Sequence, residues 1–119
     1  MLKEVEIFVP RLSQKEKDEI HSYQALYEKS EYFLRKLLIE NLPKDSKIFL
    51  FGSRAEGNHS RSSDIDIGVI SKKLEEKMII KIKEIIDESF VPFKVDIVDF
   101  LKADKEFKNK ALKRIVQWK

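Results

Sequence analysis

The sequence has 119 residues and a mass of 14.1 kDa, so we expect a single domain over residues 1–119 with no separate substrate domain. It carries 24 Lys and Arg against 21 Asp and Glu, and this net charge of +3 argues against a strongly basic nucleic-acid-binding surface. The absence of Cys excludes disulfides and cysteine-based zinc sites, and with only two His any metal should be held mainly by oxygen atoms.

The sequence shows no sign of a membrane span or an export signal. No apolar run approaches the roughly 18 residues that a membrane span needs. Residues 1–10 carry two Glu rather than a basic stretch followed by an apolar one. We therefore expect a cytoplasmic protein that has no membrane partner.

The first predicted element is a long helix over about residues 13–41. Ser13 and Glu16 match a capping box, and apolar side chains then recur at helical spacing until Pro43 ends the pattern. Residues 47–51 form a short apolar run that ends in Gly-Ser, which predicts a buried strand that enters a tight turn.

Alternation predicts a second strand over residues 64–70. Its two faces differ, with Ile65, Ile67 and Val69 on one and Asp64, Asp66 and Gly68 on the other. Ser71 can cap a second helix, whose apolar stripe comprises Leu74, Met78, Ile82, Ile85, Ile86 and Phe90.

A third strand is predicted over residues 94–100. A last amphipathic helix follows over about residues 103–118, with Phe107, Ala111, Ile115 and Trp118 on one side. This order of elements predicts an α+β fold, a small mixed sheet with flanking helices. The helical crossover favours parallel pairing of the second and third strands.

Three acids of the predicted strands are candidate metal ligands. Asp64 and Asp66 project from one face with Cα atoms about 6.6 Å apart, where they repel unless one takes a proton or a cation lies between them. Asp96 lies between β-branched residues, where an unpaired charge is costly. Asp99 is the alternative third acid, but it can cap the turn after the strand. If the strands are neighbours, the carboxylates converge and suit a pair of Mg²⁺ or Mn²⁺ ions about 3.5–4 Å apart.

The turn after the first strand contains groups that a phosphate needs. Gly52 allows close approach of the backbone, and the Ser53 hydroxyl and nearby N–H groups can face an anion. Arg54 and Arg61 add positive charge, which makes Arg54 a candidate nucleotide-binding residue, although such an Arg also often bridges to a surface acid. We expect His59 to be a solvated loop side chain.

Together these motifs resemble the minimal nucleotidyltransferases of the DNA polymerase β-like nucleotidyltransferase superfamily. The resemblance is carried by Phe51-Gly52-Ser53-Arg54-Ala55-x-Gly57, by the ten residues between Ser53 and Asp64-x-Asp66, and by Val95-Asp96-x-Val98-Asp99. It covers about residues 45–100, and the flanking helices match in length and placement but not by motif.

The resemblance implies an enzyme that transfers a nucleoside monophosphate, expected to be AMP from ATP, to an acceptor hydroxyl. It implies that Asp64 and Asp66 bind two Mg²⁺ ions, with Mn²⁺ as a substitute. Asp96 would be a third metal ligand that assists deprotonation of the acceptor. Gly52 and Ser53 would hold the β- and γ-phosphates of the donor.

Stand-alone domains of this size resemble the MNT antitoxins of HEPN/MNT toxin–antitoxin pairs, several of which add AMP to a tyrosine of a helical HEPN toxin. The resemblance therefore implies a HEPN partner and an antitoxin function. Two alternatives stay open: neutralisation of the partner by contact alone, and a nucleotidyltransferase subunit for a small acceptor such as an aminoglycoside. Nucleic acid is not expected as a direct partner, and homo- and hetero-oligomers both stay open.

Overall fold

The computed structural model describes residues 6–119, which form a mixed four-stranded sheet with helices packed against it. The elements in chain order are α1 (Gln14–Asp18), α2 (Tyr23–Asn41), β1 (Lys47–Phe51), α3 (Ser53–Glu56), β2 (Ile65–Ile70), α4 (Glu76–Asp87), β3 (Val95–Asp99), α5 (Lys105–Ala111) and β4 (Val116–Gln117). The strand order is β3-β2-β1-β4, which confirms the expected α+β class. None of the helices within residues 6–119 is long and apolar enough to cross a membrane.

The N-terminal helical region differs from the single helix predicted over residues 13–41. The capping box is confirmed, because the Ser13 hydroxyl accepts the Glu16 N–H and the Glu16 carboxylate accepts the Ser13 N–H, both at 3.1 Å. However, α1 ends at Asp18, and the Ser22 hydroxyl accepts the Ala25 N–H to begin α2. A second N-cap with extended backbone therefore interrupts the helix, and the spacing of apolar residues does not reveal it.

The three predicted strands are confirmed, as is the parallel pairing of the second and third. β1 pairs with β2 in antiparallel orientation, and β2 pairs with β3 in parallel orientation, with α4 as the crossover. The predicted cap of that helix is wrong, since α4 begins at Glu76. The Ser71 hydroxyl instead donates to Asp45 at 2.7 Å.

The chain after Ala111 contradicts the helix predicted over residues 103–118. α5 ends at Ala111, and Val116–Gln117 form a fourth strand antiparallel to β1. The Trp118 N–H donates to the Ile48 carbonyl at 2.8 Å and extends this pairing. Trp118 is 7% exposed and belongs to the main core. Pairing with the free edge of β1 therefore prevails over the local helical pattern.

The two faces of the sheet are covered differently. On one face, side chains of β1, β2 and β3 pack against α2 and α4 to form the main core. Each fully buried large side chain contributes roughly 1.5–3 kcal/mol, so this face dominates stability. The other face carries a smaller aromatic cluster of Phe49, Phe51 and Phe100, which Phe107 of α5 contacts. This cluster covers only part of its face, and Asp96 on the same face is exposed.

We expect Gly68→Ala to destabilise the fold, because Gly68 lies against the aromatic cluster. A Cβ at this position would overlap the Phe49 ring and lie 2.7 Å from Cε1 of Phe100. Overpacking of this kind costs about 1–3 kcal/mol of unfolding free energy. Urea denaturation measures the loss through the fluorescence of Trp118, the only Trp of the sequence.

The control compares Gly68→Ala/Phe49→Leu with Phe49→Leu alone. Because Leu removes the nearer of the two rings that the new methyl group would meet, Gly68→Ala should cost less unfolding free energy in this background. Equal costs in the two backgrounds would contradict the steric explanation.

Candidate active site

The turn after β1 brings a glycine against an acid of β2. Phe51 ends β1 opposite Asp66 in the antiparallel register, and Gly52 follows with a φ of 77°. A Cβ on Gly52 would overlap Oδ2 of Asp66 and lie 3.2 Å from its Cγ. The positive φ and the close approach both require glycine, so the turn and the Asp-x-Asp strand form one site.

The short helix α3 begins directly at this turn. Its first hydrogen bonds run from the N–H groups of Ala55 and Glu56 to the Gly52 carbonyl, both at 3.1 Å. The N–H groups of Ser53 and Arg54 precede these bonds and have no acceptor within the helix. The turn therefore offers amide donors and the Ser53 hydroxyl, which are groups that can bind an anion.

The three predicted acids lie at the start of β2 and β3. Asp66 is opposite Asp96 in the parallel register, and Asp64 directly precedes β2. Burial raises the pKa of Asp66, and the negative charges of Asp96 and Asp64 raise it further, while Lys94 opposes them. Asp66 is thus close enough to both other acids to experience their repulsion.

The environment of Asp96 differs from the prediction. Its side chain is 53% exposed, and Lys83 Nζ lies 3.9 Å from its Oδ1. The β-branched neighbours of Asp96 suggested that its charge is buried at a cost. This prediction is wrong, because the side chain lies on the partly covered face of the sheet. Solvent and Lys83 stabilise its charge instead.

Asp99, the alternative third acid, lies at the end of β3. It is opposite Val69 in the register, and its Oδ1 accepts the Leu101 N–H at 3.0 Å. This is the capping role that the sequence left open. The position opposite Asp66 is occupied by Asp96, so the geometry favours Asp96 over Asp99.

Arg54 has partners other than those predicted for a nucleotide-binding residue. It is 7% exposed, and its guanidinium donates to the Ser63 carbonyl and the Tyr23 hydroxyl. The side chain is buried and its nitrogens are engaged by the protein, and the phosphate contact of Arg54 stays a prediction. Within residues 6–119 Arg54 forms no bridge to a surface acid either.

Two further side chains of this region, Arg61 and His59, lie against an aromatic ring and at the surface, respectively. Cζ of Arg61 is 5.1 Å from the centroid of the Tyr23 ring. His59 is exposed, as the sequence predicted, in the segment between α3 and β2.

A cleft beside Gly52 was not predicted from the sequence. It has a volume of about 260 Å³ and is lined by Phe51, Gly52, Glu56, Phe107, Lys110 and Ala111. The sequence placed Phe107 and Ala111 on one side of a helix. Only the packing of α5 against the aromatic cluster brings that side next to the turn.

Comparison with known families agrees with this geometry. The family described as polymerase beta, nucleotidyltransferase matches residues 34–117, a range that includes every described strand and all three acids. The chain belongs to this nucleotidyltransferase family.

Two curated relatives of this nucleotidyltransferase domain carry the name MntA. The probable protein adenylyltransferase MntA of Haemophilus influenzae is 32% identical over 74 residues, which are 61% of this chain and 65% of the relative. The protein adenylyltransferase MntA of Shewanella oneidensis is 53% identical over 36 residues, which are 30% of this chain and 26% of the relative. The matched part of the chain thus spans less than two thirds of the length of either relative.

Solved structures similar to the nucleotidyltransferase domain come from toxin–antitoxin complexes. A toxin–antitoxin with AMP-PNP has a TM-score of 0.62 and 31% identity, and the match covers 72% of this chain and 69% of that chain. A MntA–HpeT complex with two Asp-to-Glu changes has a TM-score of 0.62 and 27% identity, with coverage of 76% and 72%. A tri-AMPylated Shewanella oneidensis HEPN toxin with MNT antitoxin has a TM-score of 0.60 and 27% identity, with coverage of 77% and 71%.

Membership of the nucleotidyltransferase family suggests the use of a nucleoside triphosphate and a divalent cation. Carboxylate oxygens are hard ligands that suit such a cation, and the pKa of Asp66 is raised first by burial and then by the negative charges of Asp96 and Asp64. Within residues 6–119, however, no three His, Cys, Asp or Glu side chains are gathered closely enough to hold an ion together. Asp66 and Asp96 therefore occupy neighbouring positions on adjacent strands, but the three acids do not form a closed cluster of ligands.

Asp66→Asn should stabilise the metal-free fold at neutral pH. Because folding raises the pKa of Asp66, the folded state binds a proton more tightly than the unfolded state does. The charged carboxylate therefore lowers the free energy of unfolding above the unfolded-state pKa, and the neutral amide avoids this loss. We expect a higher thermal unfolding midpoint than in the wild type. The difference should shrink as acidification through the folded-state pKa protonates the wild-type carboxyl.

Asp87→Asn is the matched control, because Asp87 is exposed at the end of α4. Circular dichroism with a chelator present measures the midpoints at neutral and acidic pH. The midpoint of the control should follow that of the wild type. A midpoint of Asp66→Asn at or below the wild-type value at neutral pH would contradict the raised pKa.

Proposed function

We propose that this chain is a metal-dependent nucleotidyltransferase that transfers AMP from ATP to a tyrosine hydroxyl of a HEPN toxin and thereby acts as its antitoxin. The observation that carries the proposal is the contact between Gly52 and Asp66, which joins an anion-binding type of turn to the Asp-x-Asp segment of residues 64–66. It occurs in a nucleotidyltransferase family domain that is similar to proteins named MntA protein adenylyltransferase.

Separate residues would bind the cations and the phosphates. Asp64 and Asp66 would hold two divalent cations, expected to be Mg²⁺ with Mn²⁺ as a substitute, and Asp96 would be a third ligand. Gly52 and Ser53 would hold the β- and γ-phosphates through the amide and hydroxyl groups of the turn. The bound cations supply positive charge that stabilises the attacking and leaving oxygens.

The transfer forms one P–O bond and breaks another. The tyrosine oxygen bonds to the α-phosphorus of ATP, while the bond from the α-phosphorus to the bridging oxygen breaks and pyrophosphate leaves. Asp96 would accept the hydroxyl proton, because its carboxylate is exposed and opposite Asp66 in the register. An exposed acid on an open face is reachable by a residue of another protein.

The protein acceptor is inferred from similar proteins. One similar solved structure contains a tri-AMPylated HEPN toxin in complex with an MNT antitoxin. Another is a toxin–antitoxin with AMP-PNP, a close analogue of the proposed donor. These complexes support a HEPN partner for this chain and favour a protein acceptor over a small molecule.

Incubation of the chain with α-labelled ATP, Mg²⁺ and a HEPN protein, such as one from a neighbouring gene, tests the proposal. We expect the label on the HEPN protein, and we expect Asp64→Ala and Asp66→Ala each to abolish it because each removes a cation ligand. Asp87→Asn should label the partner as the wild type does. Folded wild-type protein that labels no HEPN partner would overturn the proposal.

The two alternatives predict different outcomes, one in toxin neutralisation and one in labelling. If contact alone neutralises the toxin, an Asp64→Ala/Asp66→Ala double variant will neutralise it as well as the wild type. If the acceptor is a small molecule, label will appear on an added aminoglycoside rather than on the HEPN protein.

Asp96→Asn should lower the rate of AMP transfer by about 10²–10⁴-fold, the usual contribution of a general base. Asp99→Asn is the matched control from the same strand. Asp99 is opposite Val69 and accepts the Leu101 N–H, so its variant should transfer AMP at nearly the wild-type rate. Initial rates with labelled ATP measure the difference, and a larger loss in Asp99→Asn would reverse the assignment.

A further inference from the structure

Arg54 is buried where α2, α3 and the segment before β2 meet, and the residue is 7% exposed. Its Nε and Nη2 both donate to the Ser63 carbonyl, at 3.0 and 2.9 Å. Nη2 also donates to the Arg61 carbonyl at 3.3 Å, and Nη1 donates to the Tyr23 hydroxyl at 2.9 Å. All three guanidinium nitrogens therefore have protein partners, and two of them share one carbonyl.

Two aromatic rings pack against this guanidinium. Its Cζ lies 4.6 Å from the centroid of the Tyr27 ring and 4.9 Å from that of Phe93. Among the ion pairs of residues 6–119, none joins Arg54 to an Asp or Glu. Carbonyl oxygens and ring faces therefore compensate the buried charge. Lys cannot reproduce this arrangement, because its ammonium group has neither the planar set of N–H donors nor the flat surface that packs against aromatic rings.

The hydrogen bonds to Ser63 matter because Ser63 directly precedes Asp64. A peptide unit is planar, so the Ser63 carbonyl and the N–H and Cα of Asp64 move together. On the other side of Asp64, the Ile65 N–H donates to the Lys94 carbonyl at 2.8 Å. Asp64 thus lies between two anchored peptide units, one held by the sheet and the other by Arg54.

The remaining hydrogen bonds of the segment between α3 and β2 are mainly local. Residues 57–62 are exposed. The Ser60 N–H donates to the Ser63 hydroxyl at 2.9 Å, and the Ser63 N–H donates to the Ser60 carbonyl at 3.2 Å. Arg54 belongs to α3, directly after Gly52 and Ser53, so its side chain ties the turn to the segment that carries Asp64.

We propose that Arg54 is a positioning residue that fixes the backbone of Asp64 for cation binding and does not itself contact the nucleotide. This inference rests on the proposed function. Without the guanidinium hydrogen bonds to Ser63, the Asp64 carboxylate samples more orientations. The protein then binds a cation more weakly, although Asp64 itself is unchanged.

Arg54→Lys tests the inference with Mn²⁺ as the probe and electron paramagnetic resonance as the measurement. We expect the Mn²⁺ dissociation constant to rise about 10–100-fold, the usual effect of removing a contact that supports a metal ligand. Arg35→Lys is the matched control, because the Arg35 side chain is 43% exposed and lies over Trp118, away from this segment. The control should bind Mn²⁺ as the wild type does.

Hydrogen exchange gives a second readout that needs no metal. The amides of Ser60 and Ser63 should exchange faster in Arg54→Lys than in the wild type. The amide of Ile65, which the sheet holds, should exchange at the wild-type rate. Unchanged exchange at Ser60 and Ser63 would show that Arg54 does not hold the segment and would overturn the inference.

A merely structural role would lower the unfolding midpoint but leave the Mn²⁺ dissociation constant of the folded protein unchanged, and that result would also overturn the inference. If Arg54→Lys does not fold, Tyr23→Phe takes its place. This variant keeps both bonds to Ser63 and removes one acceptor of Arg54, so a smaller rise in the dissociation constant is expected. An unchanged value in Tyr23→Phe would then count as refutation.

Failure of the proposed function gives a different pattern. A wild-type protein that binds Mn²⁺, loses affinity in Arg54→Lys and transfers no AMP would refute the function and support the positioning role. A wild-type protein that binds no Mn²⁺ would refute both. Normal transfer and equal Mn²⁺ binding in the wild type and Arg54→Lys would refute the positioning role alone.

Discussion

The close approach of Gly52 to Asp66 is the constraint on which the candidate site depends. The antiparallel register sets Phe51 opposite Asp66, so the next residue passes beside the carboxylate without room for a side chain. A glycine with positive φ meets both demands. The turn and the acids therefore cannot separate unless β1 and β2 change their pairing, which the main core opposes.

One face of the sheet carries the main core, and the other face carries the candidate site. The main core buries one face under α2 and α4, and the aromatic cluster with α5 closes only part of the other. The remaining part carries Asp66 and Asp96, whose proximity contributes to the raised pKa of Asp66. Acids kept close enough to repel one another reduce stability, and this arrangement is typical of a site that acts on a charged ligand.

Local patterns predicted those parts of the fold that neighbouring residues determine. Alternation sufficed to predict β2, and the helical crossover sufficed to predict its parallel pairing with β3. β4 could not be predicted, because two residues form no period and their pairing needs the free edge of β1. The partners of Arg54 were equally inaccessible, because they include Tyr23, which lies 31 positions earlier, and a backbone carbonyl, which no motif records.

β3 forms one edge of the sheet in the described part of the chain, so its outer side pairs with no further strand there. Exposed edges of β-branched residues invite pairing with strands of other molecules, and charged side chains oppose it. In the sequence of β3, Val-Asp-Ile-Val-Asp, these charges are Asp96 and Asp99. Asp96, the acid proposed to accept the proton, therefore also places a charge on this edge, and neutralising it removes an obstacle to edge-to-edge pairing.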